Sequence, residues 1–193
     1  AVANRSRALY GQLTWAPGEL YSVLDGWAFT GGVRRTEDRM WGESQLTTPV
    51  FINLLDEDIS ESATTWLVSA SYDFEQAMAY GKVSRGYKSG GFTALSVNPS
   101  NAFYDPEYVT NYELGVKSRL LDERLQLNAT AFYTEFTDLQ FLAQDPSGVG
   151  FYVSNAAEGT SQGVDLNFSA MPFTNLMLGG GVQYLDAEYT KGE

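Results

Sequence analysis

The 193-residue sequence contains neither cysteine nor histidine. The lack of cysteine excludes a disulfide framework and a thiolate metal site. The lack of histidine removes the usual general base and the commonest metal ligand. We therefore predict no catalytic residue, no metal site and no cofactor. Basic residues are also scarce, 12 against 24 acidic residues, and the net charge of -12 argues against nucleic acid as a partner, because phosphates need clustered Lys and Arg.

Long hydrophobic runs are absent too, and no segment approaches the length of a transmembrane helix. This does not exclude a membrane location, because the strands of a transmembrane β-barrel give a much weaker hydropathy signal. The chain does contain 14% aromatic residues and 19 glycines, which suit strands, tight bends and interfacial girdles. No signal peptide is present at Ala1, so we expect a processed chain or a fragment.

The clearest pattern is an alternation that runs through residues 108–120, pauses at the polar residues 121–124, and resumes from Leu125. A period of two indicates β-strands, so this segment predicts a long antiparallel hairpin. One face is apolar, with Tyr112, Leu114, Val116, Leu125, Leu127, Ala129 and Tyr133. The other is polar and is predicted to face a water-filled lumen, with Asn111, Glu113, Lys117, Arg119 and Asn128, and Asp165 on a later strand.

Five further segments alternate in the same way, at about residues 5–15, 27–38, 62–74, 162–171 and 176–187. A sixth, at 77–89, is also predicted to be a strand, but its facing is ambiguous because Tyr80 and Tyr87 fall on opposite sides. Short polar links follow the third, fifth and seventh strands. We predict long loops after the second, fourth and sixth, at 37–61, 90–106 and 139–160. The first of these is acidic but lacks the spacing of an EF-hand, so we interpret it as a solvated loop.

Strands of about ten residues with one apolar and one polar face are typical of outer-membrane barrels. Short turns on one side and long loops on the other match their short periplasmic turns and long extracellular loops. The prediction is an all-β fold, antiparallel staves of a transmembrane β-barrel. Because both ends of the chain would then lie outside the cell, we expect further strands before Ala1 and after Glu193. Residues 1–193 would form one partial barrel domain.

Several segments, in order and spacing, resemble the TonB-dependent outer-membrane receptors, in particular the ferric-siderophore branch. They are Val83–Phe92 (VSRGYKSGGF), Asp105-Pro106-Glu107, Asn111–Ser118 (NYELGVKS), Phe132-Tyr133-Thr134, Asp138-Leu139-Gln140, Asn155-Ala156 and Gly163–Leu166 (GVDL). The resemblance covers about residues 8–189. It implies a 22-stranded barrel, of which these strands are about a third, closed by an N-terminal plug. It also implies energy-dependent import of ferric siderophores, driven by the TonB complex through the plug. The sequence departs from the family in lacking the plug, the energy-coupling segment and a terminal aromatic residue.

Candidate ligand contacts are of two kinds. The basic side chains Arg85 and Lys88 could attract an anionic chelate, although a structural role at the barrel rim, or contact with lipid headgroups, fits them as well. Aromatic side chains in the predicted loops offer a large contact area for a flat chelate. These are Phe92, Phe103, Tyr104, Phe141, Phe151 and Tyr152.

Other functions stay open at this point. A passive porin, or a receptor for haem, cobalamin or a saccharide, is compatible with the same wall. A barrel enzyme is disfavoured because histidine is absent, so we predict that the chain is not an enzyme. A soluble β-sandwich would also alternate, but its loops need not segregate by length.

Overall fold

The computed structural model describes residues 2–47, 52–93, 101–146, 148 and 150–191. They form one eight-stranded antiparallel sheet and a separate two-stranded hairpin. The strands are β1 Val2–Trp15, β2 Trp27–Thr47, β3 Ile52–Asp73, β4 Ala77–Lys88, β5 Gly91–Phe92, β6 Phe103–Tyr104, β7 Glu107–Leu120, β8 Leu125–Gln144, β9 Phe151–Phe173 and β10 Leu176–Lys191.

The large sheet is a meander in which each strand pairs with the next, in the order β1-β2-β3-β4-β7-β8-β9-β10. The small hairpin, β5 with β6, lies in the connection between β4 and β7. Two 3-10 turns, Pro17–Glu19 and Ser22–Leu24, form the link between β1 and β2. Among the described residues, no helix is long and apolar enough to span a membrane.

The register confirms the predicted two-faced hairpin. Tyr112 lies opposite Tyr133 and Val116 opposite Ala129, whereas Lys117 lies opposite Asn128. In the middle of β7, the apolar Tyr112, Leu114 and Val116 are exposed, whereas Asn111 and Glu113 between them are half-buried. The sheet therefore has an exposed outer face of apolar side chains and a polar inner face. This is the arrangement of a barrel wall between lipid and water.

A row of aromatic rings marks the lower end of the outer face. Trp27 stacks on Phe29 at 5.9 Å between ring centroids and meets Tyr72 edge-on at 5.2 Å. Trp15 and Phe74 extend the row on either side, at 6.2 Å from Phe29 and 4.6 Å from Tyr72. Aromatic girdles of this kind are found at the interfaces of outer-membrane barrels.

Two of the three predicted long loops are wrong. β2 and β3 remain paired in continuous register from Trp27 opposite Tyr72 up to Thr47 opposite Ile52. Most of the predicted loop 37–61 is therefore strand, although residues 48–51 lie outside the described part. Likewise, β8 extends to Gln144 and β9 begins at Phe151, with irregularities near Leu139. The predicted strands were ended where the alternation of apolar side chains stops. Backbone pairing does not need apolar side chains, so the strands continue beyond that point.

Candidate functional site

The connection between β4 and β7 folds back over the inner face of the sheet. We call residues 89–93 and 101–106, which include β5 and β6, the infolded hairpin. Phe92 and Ala102 are buried at its centre, and Met40 of β2 and Ile59 of β3 pack against them. The hairpin thus covers the upper part of β2 and β3, where Asp38 is also buried.

The hairpin occupies a place where two strands separate. β3 and β4 are paired only as far as Trp66 opposite Arg85. Beyond that point, β4 continues along β7 up to Lys88 opposite Glu107, and β3 continues along β2. Tyr87 stands at the fork, where its hydroxyl donates a hydrogen bond to Asp38 of β2. The sequence left the facing of this strand ambiguous; in the structure the Tyr80 hydroxyl bonds to Glu113 and the Tyr87 hydroxyl to Asp38.

Two amide side chains from β8 and β9 hold the backbone of the hairpin. Gln140 Nε2 donates to the carbonyl oxygens of Ser89 and Asp105, each at 3.0 Å. Asn155 Oδ1 accepts the Asp105 N–H at 2.9 Å, while its Nδ2 donates to the Asp105 and Asp138 carbonyl oxygens at 2.8 Å. Both ends of the hairpin are therefore tied to the opposite wall of the fork.

Two carboxylates complete this set of contacts. Glu61 Oε2 of β3 accepts the Gly90 N–H at 3.0 Å, and Glu107 Oε2 of β7 accepts the Gln140 N–H at 3.1 Å. We call the four side chains Glu61, Glu107, Gln140 and Asn155 the hairpin anchor. Partial burial is the main cause that raises the pKa of Glu61, and the nearby Asp105 and Asp38 carboxylates add to it, whereas the Gly90 N–H opposes it.

The basic candidates lie on different faces. Arg85 is exposed at an outward position, opposite Trp66 and Thr110, with its guanidinium 4.7 Å from the centroid of the Tyr108 ring. Lys88 lies at an inward position, where its Nζ is 3.7 Å from Glu107 of the hairpin anchor. The structure therefore does not bring the two together, and each stays a prediction as a ligand contact.

The aromatic candidates form two groups on strands rather than loops. Phe92 lies opposite Phe103 in the infolded hairpin, next to the pair formed by Gly91 and Tyr104. Phe92 is buried, but Phe103 keeps 41% of its surface exposed. The second group belongs to the upper parts of β8 and β9, with Phe141 opposite Ser154, Ala143 opposite Tyr152 and Gln144 opposite Phe151. Their role in ligand contact stays a prediction.

The predicted lumen-facing residues share the inner face. Glu113 Oε2 lies 2.7 Å from Lys82 Nζ, and its Oε1 accepts the Tyr80 hydroxyl at 2.5 Å. Asn111 donates to the same carboxylate at 3.4 Å and accepts from Thr134 at 2.8 Å. The others lie lower or on neighbouring strands: Lys117 opposite Asn128, Arg119 opposite Gln126 and Asp165 opposite Thr130.

Sequence reasoning did not nominate the hairpin anchor as a site. Three of its members, Glu107, Gln140 and Asn155, nevertheless lie in segments that carried the family resemblance. These segments are far apart in the sequence. Only the folded chain shows that Gln140 and Asn155 both bond to the backbone of Asp105, and that Glu107 bonds to Gln140. Glu61 lies in the stretch interpreted as a solvated loop, so no sequence signal pointed to it.

The contacts of this region are apolar packing and hydrogen bonds within the chain. Within the described residues, no group of three or more acidic, histidine or cysteine side chains could hold a metal ion. What the geometry offers is a fixed hairpin across the upper inner face, with aromatic and polar side chains around it. These features define part of the wall of a transmembrane β-barrel, with a connection folded over the upper end of its inner face.

The match to known proteins agrees with this class. The whole chain, residues 1–193, matches the family model for the TonB dependent receptor-like beta-barrel, and the chain belongs to that family. The family is located in the bacterial outer membrane, and its members are transporters rather than enzymes.

Two relatives show the range of this family. The metal-pseudopaline receptor CntO of Pseudomonas aeruginosa is 39% identical over 114 residues, which are 59% of this chain and 15% of that protein. The probable TonB-dependent siderophore receptor PiuA of Acinetobacter baumannii is 30% identical over 101 residues, which are 52% of this chain and 13% of that protein. The chain thus matches only a small part of each relative.

Solved structures share the fold. The ferric yersiniabactin uptake receptor FyuA from Yersinia pestis superposes with a TM-score of 0.83 at 22% identity, over 98% of this chain and 28% of that one. The copper transporter OprC superposes with a TM-score of 0.76 at 15% identity, over 97% of this chain and 29% of that one. Both confirm the antiparallel barrel wall predicted from the sequence.

Proposed function

We propose that this chain forms part of the wall and the mouth of an outer-membrane receptor that imports a scarce metal chelate, with ferric siderophores as the ligand class. Membership of the TonB-dependent receptor family supports active import. The names of two relatives, one a receptor for metal-pseudopaline and one a probable siderophore receptor, support a metal chelate as the cargo.

The infolded hairpin carries the proposal. A bare channel wall would leave this face open to water, whereas here a connection is held over the inner face by side chains from three strands: Glu61 of β3, Gln140 of β8 and Asn155 of β9. A fixed surface at the mouth suits a receptor that must bind a dilute ligand before transport, because little ordering is then needed on binding.

The side chains proposed to contact the ligand are those that are exposed on the inner or upper surface. Phe103 on the hairpin and Phe151 on β9 are both aromatic and partly exposed, and they offer contact area to a chelate. Lys88 adds a positive charge near the anchor, although Glu107 partly neutralises it. Arg85 faces outward beside Tyr108, which suits contact with lipid headgroups better than contact with cargo.

Two partners complete the proposal. Outer-membrane lipid would cover the exposed apolar outer face, because such a surface is not stable in water. The TonB complex would supply energy through a plug that fills the lumen, against the polar side chains that include Glu113 and Lys117. Both the plug and the complex are proposed here for the receptor as a whole.

The first test is uptake by iron-starved cells that carry the complete gene or its deletion. Labelled ferric siderophores and chelates of other transition metals would be supplied with and without a protonophore. We expect deletion to abolish an energy-dependent uptake. Uptake that persists with the protonophore would indicate a passive pore, and unchanged uptake of every iron chelate would overturn the siderophore assignment.

A variant locates the contact surface within the same assay. Phe103→Ala on the hairpin should raise the concentration needed for half-maximal uptake. Phe74→Ala, in the aromatic row at the opposite end of the sheet, is the matched control, because it removes an exposed ring of the same type. Equal effects of the two variants would count against the hairpin as a ligand surface.

A further inference from the structure

The carboxylate of Asp145 is buried at the upper tip of β8 and β9, and the contacts described so far give it no role. Only 6% of the surface of Asp145 is exposed, although the residue belongs to the short link between the two strands. A carboxylate is costly to bury unless hydrogen bonds replace the water that it loses. A buried acid in such a link therefore indicates a specific partner within the protein.

A partner of Asp145 lies on the infolded hairpin. Asn101, at the start of the second arm of the hairpin, donates a hydrogen bond from its Nδ2 to Asp145 Oδ2 at 3.3 Å. We call this contact the tip bridge. The hairpin anchor holds the hairpin near its base, at Asp105, whereas the tip bridge holds it farther along the arm. The hairpin is thus fixed to β8 and β9 at two heights.

The link that carries Asp145 is itself closed by backbone hydrogen bonds. The Asp145 N–H donates to the Gly150 carbonyl oxygen at 3.2 Å, and the Asp145 carbonyl oxygen accepts the Gly148 N–H at 2.8 Å. Gly148 and Gly150 have φ angles of +77° and +84°, which are left-handed values that favour glycine. Asp145 therefore holds the hairpin from a fixed position beside Phe151, the residue that follows Gly150.

Two segments consequently run side by side, in the same direction, at the mouth. Residues 101–105 begin at the tip bridge and end at Asp105, whose N–H and carbonyl oxygen both bond to Asn155. Residues 151–155 begin next to the closed link and end at Asn155. The position of the first segment against the second therefore depends on a contact at each end.

Each of these segments carries one exposed aromatic ring. Phe103 lies in the middle of the first segment, Phe151 begins the second, and the two residues keep 41% and 45% of their surfaces exposed. Their backbone positions are offset by two residues, which is about 7 Å along the strands. One ligand can contact both rings at this spacing as long as the tip bridge holds the hairpin in place.

We propose that Asn101 and Asp145 are positioning residues of the ligand surface, and that the two rings they hold select a chelate with planar aromatic rings over an aliphatic one. Aromatic rings attract one another in offset-stacked or edge-to-face arrangements, which an aliphatic chelate cannot form. Asn101 and Asp145 act without touching the ligand, because they set the distance between Phe103 and Phe151. The inference rests on the proposed receptor function and adds the residues that set its selectivity.

The test is binding of two ferric complexes to the purified complete receptor in detergent, measured by equilibrium dialysis. The aromatic probe is the ferric complex of catechol, and the aliphatic probe is ferric citrate. Asn101→Asp places a second carboxylate at the tip bridge, and two like charges at hydrogen-bond distance repel each other. We expect the dissociation constant of the catecholate complex to rise about fivefold, as for the loss of one aromatic contact, whereas ferric citrate should bind weakly with or without the substitution.

A reversed pair and a double-mutant cycle separate positioning from a general loss of structure. Asn101→Asp with Asp145→Asn again places one amide opposite one carboxylate, so it should recover most of the lost affinity. In a Phe103→Ala background, Asn101→Asp should have little further effect, because the ring that the bridge positions is gone. A bridge that only supported the fold would weaken binding equally in both backgrounds. The matched control is Asn167→Asp, which makes the same like-charge pair with Asp165, lower on the inner face.

The outcomes separate this inference from the proposed function. Unchanged binding of the catecholate complex in Asn101→Asp, or no recovery in the reversed pair, would overturn the inference and leave the transport proposal intact. Equal affinity of the unaltered receptor for both complexes would overturn the selectivity for aromatic chelates. A receptor that binds neither ferric complex would overturn the inference together with the siderophore assignment.

Discussion

Replacement of Asn155 by alanine is expected to release the infolded hairpin while the large sheet stays folded. The amide of Asn155 makes three hydrogen bonds, two of them with the backbone of Asp105 and one with the carbonyl of Asp138. No other side chain in the described residues binds both the N–H and the carbonyl of Asp105. Alanine would remove all three bonds and would add no bulk.

The size of the effect follows from these bonds. A hydrogen bond between neutral groups contributes a net free energy of about 0.5 to 1.5 kcal/mol, and the lower end applies where water can replace the lost partner. Asn155 and its partners are partly exposed, so the three bonds together amount to about 1.5 kcal/mol. Since 1.4 kcal/mol corresponds to a factor of ten, the open population of the hairpin should rise about tenfold.

Hydrogen exchange of the complete receptor in detergent measures this directly. Peptides that cover residues 89–93 and 103–106 should exchange about tenfold faster in the variant, whereas peptides from β7 should not change. Asn167→Ala is the matched control, because this amide on the same strand bonds only to Asp165 among the described residues. If both variants leave the hairpin equally protected, the anchor does not hold it.

Three further predictions concern other contacts. Gly90→Ala should open the hairpin, because a Cβ there would clash with the backbone oxygen of Tyr104, and limited proteolysis should then cut the connection faster. The pKa of Glu61 is raised in the folded hairpin, so its contribution to the stability of the hairpin should be complete at acidic pH and should be lost as the pH rises through the pKa of the folded state. Hydrogen exchange of the hairpin should therefore become faster as the pH rises, beyond the intrinsic pH dependence of exchange, and Glu61→Gln should remove this extra dependence. Lys82→Met leaves Glu113 without its ion pair, so it should reduce the free energy of unfolding by about 1 kcal/mol and lower the melting temperature. The double variant Lys82→Met with Glu113→Gln should recover part of this loss.

The sequence predicted the membrane-facing part of the fold because lipid imposes a simple rule there. Side chains that face lipid must be apolar and those that face water are polar, so Tyr112, Leu114 and Val116 alternate visibly with Asn111 and Glu113. The strand order and the three short turns follow from that alternation. Above the membrane both faces of the sheet can carry polar side chains, so pairs such as Arg39 with Ser60 show no alternation in the sequence.

The candidate site was predictable only in its parts. Lys88, Phe92 and Phe103 were nominated singly, but the sequence could not show that Lys88 contacts Glu107 or that Phe92 is buried. Those contacts depend on a connection that folds back across strands far apart in the chain. Equally, Arg85 is close to Lys88 in sequence, yet it occupies the opposite face of the sheet.

The chain by itself determined the class of protein, since alternation, composition and short motifs all reflect local constraints on a lipid-facing sheet. Only the tertiary structure decided how Asp105, Gln140 and Asn155 meet, and that Met40 and Ile59 pack against the buried Phe92. The physical reason is register. A one-residue shift between strands would move each of these side chains to the other face, and register is fixed by the backbone pairing of the whole sheet.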